Sequence, residues 1–141
     1  MRLVLDASVL VNAVVPQPLS HHAEALIARP GQHLIAPDLC RIEALNALWR
    51  YTHAGVLTPD EALARYSLVA AAPIEYVDSR LLEPLAFELA LAHGHPVYDC
   101  LYVALALAED AGLATADDRL CALGGRVLGD EVHHLRSTPP P

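Results

Sequence analysis

Apolar positions along this chain fall into two periods. Short continuous runs, each closed by an acid, a proline or a turn residue, read as buried strands; longer stretches with apolar residues three and four apart read as helices. Arg2 to Leu5 is the first run, ended by Asp6, and residues 33–36, 74–77 and 113–115 follow, with 126–128 as a last strand. Between them lie helical patterns at 8–15, stopped by Pro16, and at 20–28, closed by Arg29-Pro30-Gly31. A long helix opens at Pro37 and Asp38 and runs to about Ala54, before Gly55; within it Ile42, Leu45 and Trp49 share one face. Thr58-Pro59-Asp60-Glu61 carries a capping threonine, a proline at the first helical position and a glutamate at the third, and starts a helix to about Ala71. Further helices are predicted at 81–93, at 98–111 before Gly112, and at 118–123. Strands separated by helices imply an α/β fold: a mostly parallel sheet of about 4–5 strands, covered on both faces.

Composition narrows the possibilities. The 141 residues suit one domain, and 54% of them are hydrophobic. No run of 18 apolar residues occurs without a charge or a proline, which predicts no transmembrane helix. The first acid, Asp6, comes too early for a signal peptide, so a cytoplasmic location without membrane attachment is expected. Cys40, Cys100 and Cys121 form no CxxC pair and are expected to be buried thiols. The surplus of apolar residues, with a mean hydropathy of +0.32, points to a protein–protein interface and self-association.

Charge excludes more. The formal net charge is −8, against the basic surface of a general nucleic-acid binder. All nine basic residues are arginine, so any mechanism that needs a lysine is ruled out, including the phospho-aspartate enzymes and receivers that also place acids at strand ends. The histidine pairs His21-His22, His93/His95 and His133-His134 lack the spacing of a four-ligand zinc site and read as surface or hydrogen-bonded rings.

Four acids stand out. Asp6 and Asp117 follow predicted strands, where ligands bind in open α/β sheets, although either would also serve as a helix cap. Asp99 lies in the first turn of a helix that is apolar from Cys100 to Ala108 apart from the Tyr102 hydroxyl; it is a cap or a functional acid. Glu43 sits in mid-helix among Leu39, Cys40, Asn46 and Ala47, off the Ile42/Leu45/Trp49 stripe, where a solvated glutamate is the ordinary case. Together they could converge. Carboxylates ~4 Å apart repel by about 4 kcal/mol per pair at an effective dielectric near 20, so such a cluster takes up protons or binds cations. Hard oxygen ligands favour Mg²⁺ or Mn²⁺, and a carboxylate-held metal pair can hydrolyse phosphodiesters. Ser8, Asn12 and Thr115 are candidates to orient the acids, Ser8 serving equally as a cap.

The segments 3–12, 42–48, 97–106 and 113–120 resemble, in order and spacing, the four motifs of PIN-domain ribonucleases, most closely the toxins of bacterial VapBC toxin–antitoxin pairs. The resemblance implies a PIN-like three-layer α/β/α sandwich, with the domain taken as residues 1–136; the proline-rich end at 137–141 reads as a flexible tail. It implies Mg²⁺ or Mn²⁺ dependence and endonucleolytic RNA cleavage, with Asp6, Glu43, Asp99 and Asp117 binding the metal and Ser8 and Thr115 in support. Asp118 is the alternative to its neighbour Asp117. It also implies a homodimer and a small VapB-like antitoxin as partner. Without lysine, Arg41, Arg50 and Arg119 are the arginines nearest the motifs for holding RNA phosphates. A catalytically silent PIN-like binding module and a DNA-directed nuclease are the alternatives.

Overall fold

The computed structural model describes residues 1–137; of the tail expected at 137–141, only Ser137 falls within them. The elements are β1 (Arg2–Leu5), α1 (Ala7–Val14), α2 (Ser20–Ala28), β2 (His33–Pro37), α3 (Leu39–His53), α4 (Pro59–Ala71), β3 (Ile74–Val77), α5 (Glu83–His93), α6 (Val97–Glu109), β4 (Gly112–Thr115), α7 (Asp118–Leu128) and β5 (Val132–His134). The five strands form one parallel sheet in the order β3-β2-β1-β4-β5. Successive residues of a strand point to opposite faces, and Leu3, Val4 and Leu5 are all buried, as are Leu34, Ile35 and Ala36. Both faces of the sheet are therefore covered, as the continuous apolar runs require.

β1 and β4 lie side by side at the centre, with Leu5 opposite Ala114. From β1 the sheet extends to β2 and β3 on one side; from β4 it extends to β5 on the other. The crevice at the carboxyl ends of β1 and β4 is the point where the strand order reverses, and such crevices hold ligands.

Helix starts follow the predicted chemistry most closely at α4, where Thr58 and Glu61 make both bonds of a capping box. Several boundaries differ. β2 runs on through Pro37, and α3 begins at Leu39. Residues 79–81 form a 3₁₀ turn, so α5 starts at Glu83. α6 ends at Glu109 and is closed by Asp110 in the left-handed region (φ +49°), which aspartate tolerates; Gly112 opens β4 instead.

Two corrections concern packing. Residues 126–128 belong to the last turn of α7, and the final strand is Val132–His134. Within α7, glycine at position 124 serves a close approach. A Cβ there would stand 2.8 Å from Val132 Cγ2 and 3.4 Å from Leu113 Cδ2. In α3 the stripe predicted to share a face is not the inner one: Ile42 is 58% and Trp49 60% exposed. The buried residues are Cys40, Ala44, Ala47 and Leu48. Three of these four side chains are small, which allows close helix approach.

Gly124→Ala is expected to lower the unfolding free energy by about 1 kcal/mol, since overpacking of about 1–3 kcal/mol outweighs the gain in helix propensity. At Gly125 a Cβ meets nothing nearer than 3.9 Å, so Gly125→Ala is expected to be neutral or stabilising by up to about 1 kcal/mol. Urea unfolding of the two variants checks the contrast.

Candidate active site

Asp6 leaves β1 at the switch point. Its backbone N–H donates to Ala114 O at 3.0 Å, and its side chain is buried, 6% exposed. Ser8 Oγ donates to Asp6 Oδ2 at 2.5 Å and Thr115 Oγ1 donates to the same oxygen at 2.9 Å. Ser8 is thus no helix cap; it lies within α1 and ties β1 to β4. The Ala116 N–H donates back to Ser8 Oγ at 2.8 Å, and the Asp117 N–H to Thr115 Oγ1 at 2.9 Å. Asn12 Nδ2 donates to Ser8 O at 2.7 Å and braces the same turn of helix.

Asp117 caps α7, its Oδ1 accepting from the N–H groups of Arg119 and Leu120. Asp99 stands in the first turn of α6, and its Oδ2 lies 2.7 Å from His95 Nε2. Glu43 projects from α3, half-buried, and its Oε1 accepts from the Tyr102 hydroxyl at 2.5 Å. All four acids line one cleft of about 600 Å³, together with Ser8, Asn12, Gln17, Arg50 and Tyr51.

Each of the four carboxylates has one oxygen engaged by the protein. The other, Asp6 Oδ1, Glu43 Oε2, Asp99 Oδ1 or Asp117 Oδ2, has no hydrogen-bond partner among the described residues. The acids also feel one another. Asp6 is raised to about 6: burial pushes it up most, its bonds from Ser8 and Thr115 pull it down, and the charges of Glu43 and Asp99 push it up further. Burial likewise raises Glu43; the Tyr102 bond lowers it, Asp99 raises it, Arg50 lowers it and Asp117 raises it. Among the described residues no three His, Cys, Asp or Glu side chains already enclose a point as ligands of one ion would. All four line the same cleft. The donor set, four carboxylates with a free oxygen each and no thiolate, fits a hard divalent cation.

The other predicted residues divide. Asp118 is not in the cleft: its Oδ1 is 3.2 Å from His134 Nε2 and 2.9 Å from Arg136. Of the three arginines, only Arg50 lines the cleft. Arg41 stacks over the Tyr76 ring, 5.1 Å from its centroid, and Arg119 is exposed at the start of α7. Cys40 and Cys100 are buried, and burial lifts Cys40 to about 12, but Cys121 is only half-buried. His95 is the residue that reading the sequence as paired surface histidines misses. Its place four residues before Asp99 is the signal that finds it.

The sequence matches the PIN-domain family over residues 3–126. It is 36% identical over 124 residues to "Ribonuclease VapC3" of Pyrobaculum aerophilum, covering 85% of this chain and 92% of that protein. The fold is similar to that of PAE2754 from Pyrobaculum aerophilum, with a TM-score of 0.72 at 20% identity over 97% of this chain and 85% of that one. It is also similar to a chain of VapBC2 from Rickettsia felis, solved bound to a promoter DNA fragment, at a TM-score of 0.66 and 14% identity over 95% of this chain and 98% of that one. VapC20 of Mycobacterium tuberculosis, a toxin that cleaves the sarcin–ricin loop, matches at a TM-score of 0.66 and 15% identity over 86% of this chain and 95% of that one.

Asp117 has two separable duties, and its variants are expected to separate them. Asp117→Ala removes the cap and costs about 1 kcal/mol of stability, whereas Asp117→Asn caps as well and stays within about 0.5 kcal/mol of the parent. Urea unfolding in EDTA measures both; equal stabilities for the two variants would mean that the cap contributes nothing.

Proposed function

Since the chain belongs to the PIN-domain family, we propose that it is a divalent-metal-dependent endoribonuclease and the toxin of a VapBC-type toxin–antitoxin pair. The observation that carries this reading is the cleft in which four carboxylates each keep one oxygen tied and one oxygen without a partner. Asp6, Glu43, Asp99 and Asp117 would hold Mg²⁺ or Mn²⁺. When bound, the ion supplies positive charge against the phosphodiester and activates the attacking water.

The chain's own residues prepare that chemistry. Ser8 and Thr115 fix Asp6 from two elements, and the backbone N–H groups of α7 fix Asp117. Arg50, on the cleft wall beside Glu43, is the side chain placed to grip a backbone phosphate through charge-assisted hydrogen bonds. Thr115 and Asn12 keep the supporting roles; Arg41, Arg119 and Asp118 do not enter this reading. A catalytically silent module would have no use for neighbouring carboxylates that raise the proton affinity of Asp6 and Glu43.

Partners follow from the same family reading. Exposed apolar side chains at Leu63, Leu68, Leu81, Phe87 and Leu91 support self-association and a protein partner, which we take to be a VapB-like antitoxin. Among the described residues no helix is long and apolar enough to cross a membrane. The domain is taken to span residues 1–136.

EDTA is expected to abolish RNA cleavage, and Mg²⁺ or Mn²⁺ to restore it; cleavage indifferent to chelation would overturn the mechanism. Asp99→Asn removes one charge and keeps the shape, so cleavage should fall at least about a hundredfold while the circular dichroism spectrum is unchanged. Mn²⁺ should raise the unfolding temperature of the parent protein, and the rise should be smaller in Asp99→Asn, as binding to the native state requires. Light scattering at micromolar concentration is expected to give a mass above one chain.

A further inference from the structure

His95, Asp99 and Tyr102 are spaced i, i+4 and i+7, which places them on one face of α6 and the turn before it. The middle member is a cleft acid; the outer two are engaged with cleft acids. The Tyr102 ring is fully buried and its hydroxyl crosses from α6 to α3, 2.5 Å from Glu43 Oε1. The His95 side chain is only 8% exposed, and its Nε2 lies 2.7 Å from Asp99 Oδ2. The imidazole donates there as the Nε2–H tautomer or as the cation. A glutamate in mid-helix has three rotatable side-chain bonds and must be ordered before it can ligate. A carboxylate with one oxygen already held has one orientation to offer with the other.

We propose that Tyr102 and His95 are positioning residues of the acidic cleft: each holds one oxygen of a carboxylate, Glu43 and Asp99 respectively, and leaves the second oxygen set for a divalent cation. The proposal rests on the reading of the cleft as a metal-dependent nuclease site. Neither residue touches the reacting atoms. Together with Ser8 and Thr115 on Asp6, and the α7 backbone on Asp117, they complete a set in which every cleft acid is held by a partner of its own.

Calorimetric titration of the full chain with Mn²⁺ tests this directly, in the parent and in Tyr102→Phe, His95→Ala and His95→Gln. Tyr102→Phe keeps the buried ring and removes only the donor; His95→Gln keeps a donor that His95→Ala lacks. Tyr102→Phe and His95→Ala are each expected to weaken Mn²⁺ binding at least about tenfold, and His95→Gln to recover most of that loss. In cleavage assays the Mg²⁺ concentration for half-maximal rate should rise in step, while the rate at saturating Mg²⁺ stays within about threefold of the parent. Parent-like Mn²⁺ affinity in Tyr102→Phe and His95→Ala would overturn the proposal and leave the metal site standing. A His95→Gln variant as weak as His95→Ala would overturn the role of His95, the loss then being one of packing. A parent protein that binds no Mn²⁺ would overturn the reading of the cleft, and this proposal with it.

Discussion

A buried carboxylate must be hydrogen-bonded or neutralised, and in this molecule that requirement organises the centre of the fold. Asp6 is 6% exposed at the end of β1. Left unpaired, a charge in such a place costs several kcal/mol. Two hydroxyls meet the need, Ser8 from α1 and Thr115 from the end of β4, and both reach the same oxygen. They do so only because β1 and β4 are parallel neighbours in the register that sets Leu5 opposite Ala114. The same two hydroxyls then accept the N–H groups of Ala116 and Asp117, and so set the exit of β4 into α7. Asp117 is positioned, in effect, by the partners of Asp6. One buried charge thus couples strand order, a helix start and the placement of a second acid.

The other two acids arrive by a different route. Glu43 and Asp99 come from helices that must approach the strand ends closely. In α3 the inward face is built from Cys40, Ala44 and Ala47, small enough for the helix to bring a glutamate to the rim of the crevice. In α6 the first turn reaches the cleft while Cys100 to Ala106 fills the core behind it. The price is electrostatic: Glu43 and Asp99 raise the proton affinity of Asp6, and Asp99 and Asp117 raise that of Glu43. Functional sites commonly retain such opposed charges at the expense of stability.

How much of this could be read in the sequence depended on what each segment has to satisfy. Strands buried on both faces announce themselves as apolar runs, and β1, β2 and β4 were legible for that reason; β3, a half-buried edge strand, was legible from its β-branched and aromatic residues Ile74, Tyr76 and Val77. β5 was not, because Val132-His133-His134 is a short edge strand with a half-buried first residue and carries no apolar run. Ile42 and Trp49 are exposed although Leu45 on the same stripe packs against the core, because the inward face of α3 is set by Cys40, Ala44, Ala47 and Leu48. The four acids could be selected by position and motif, but their company could not: that His95 belongs to Asp99 and Asp118 to His134 and Arg136 depends on folded geometry. Arg41 is the same case, its guanidinium taken by the Tyr76 ring.

The acidic balance of the chain gains meaning from this arrangement. A formal charge of −8 gives no long-range attraction for a polyanion, and the cleft itself carries four carboxylates against Arg50. As it stands, such a cleft repels phosphate. On the proposed reading, a divalent cation held by the four acids would remove most of that repulsion locally. Cation and RNA would then be thermodynamically linked: whatever favours one in the cleft would favour the other by the same free energy.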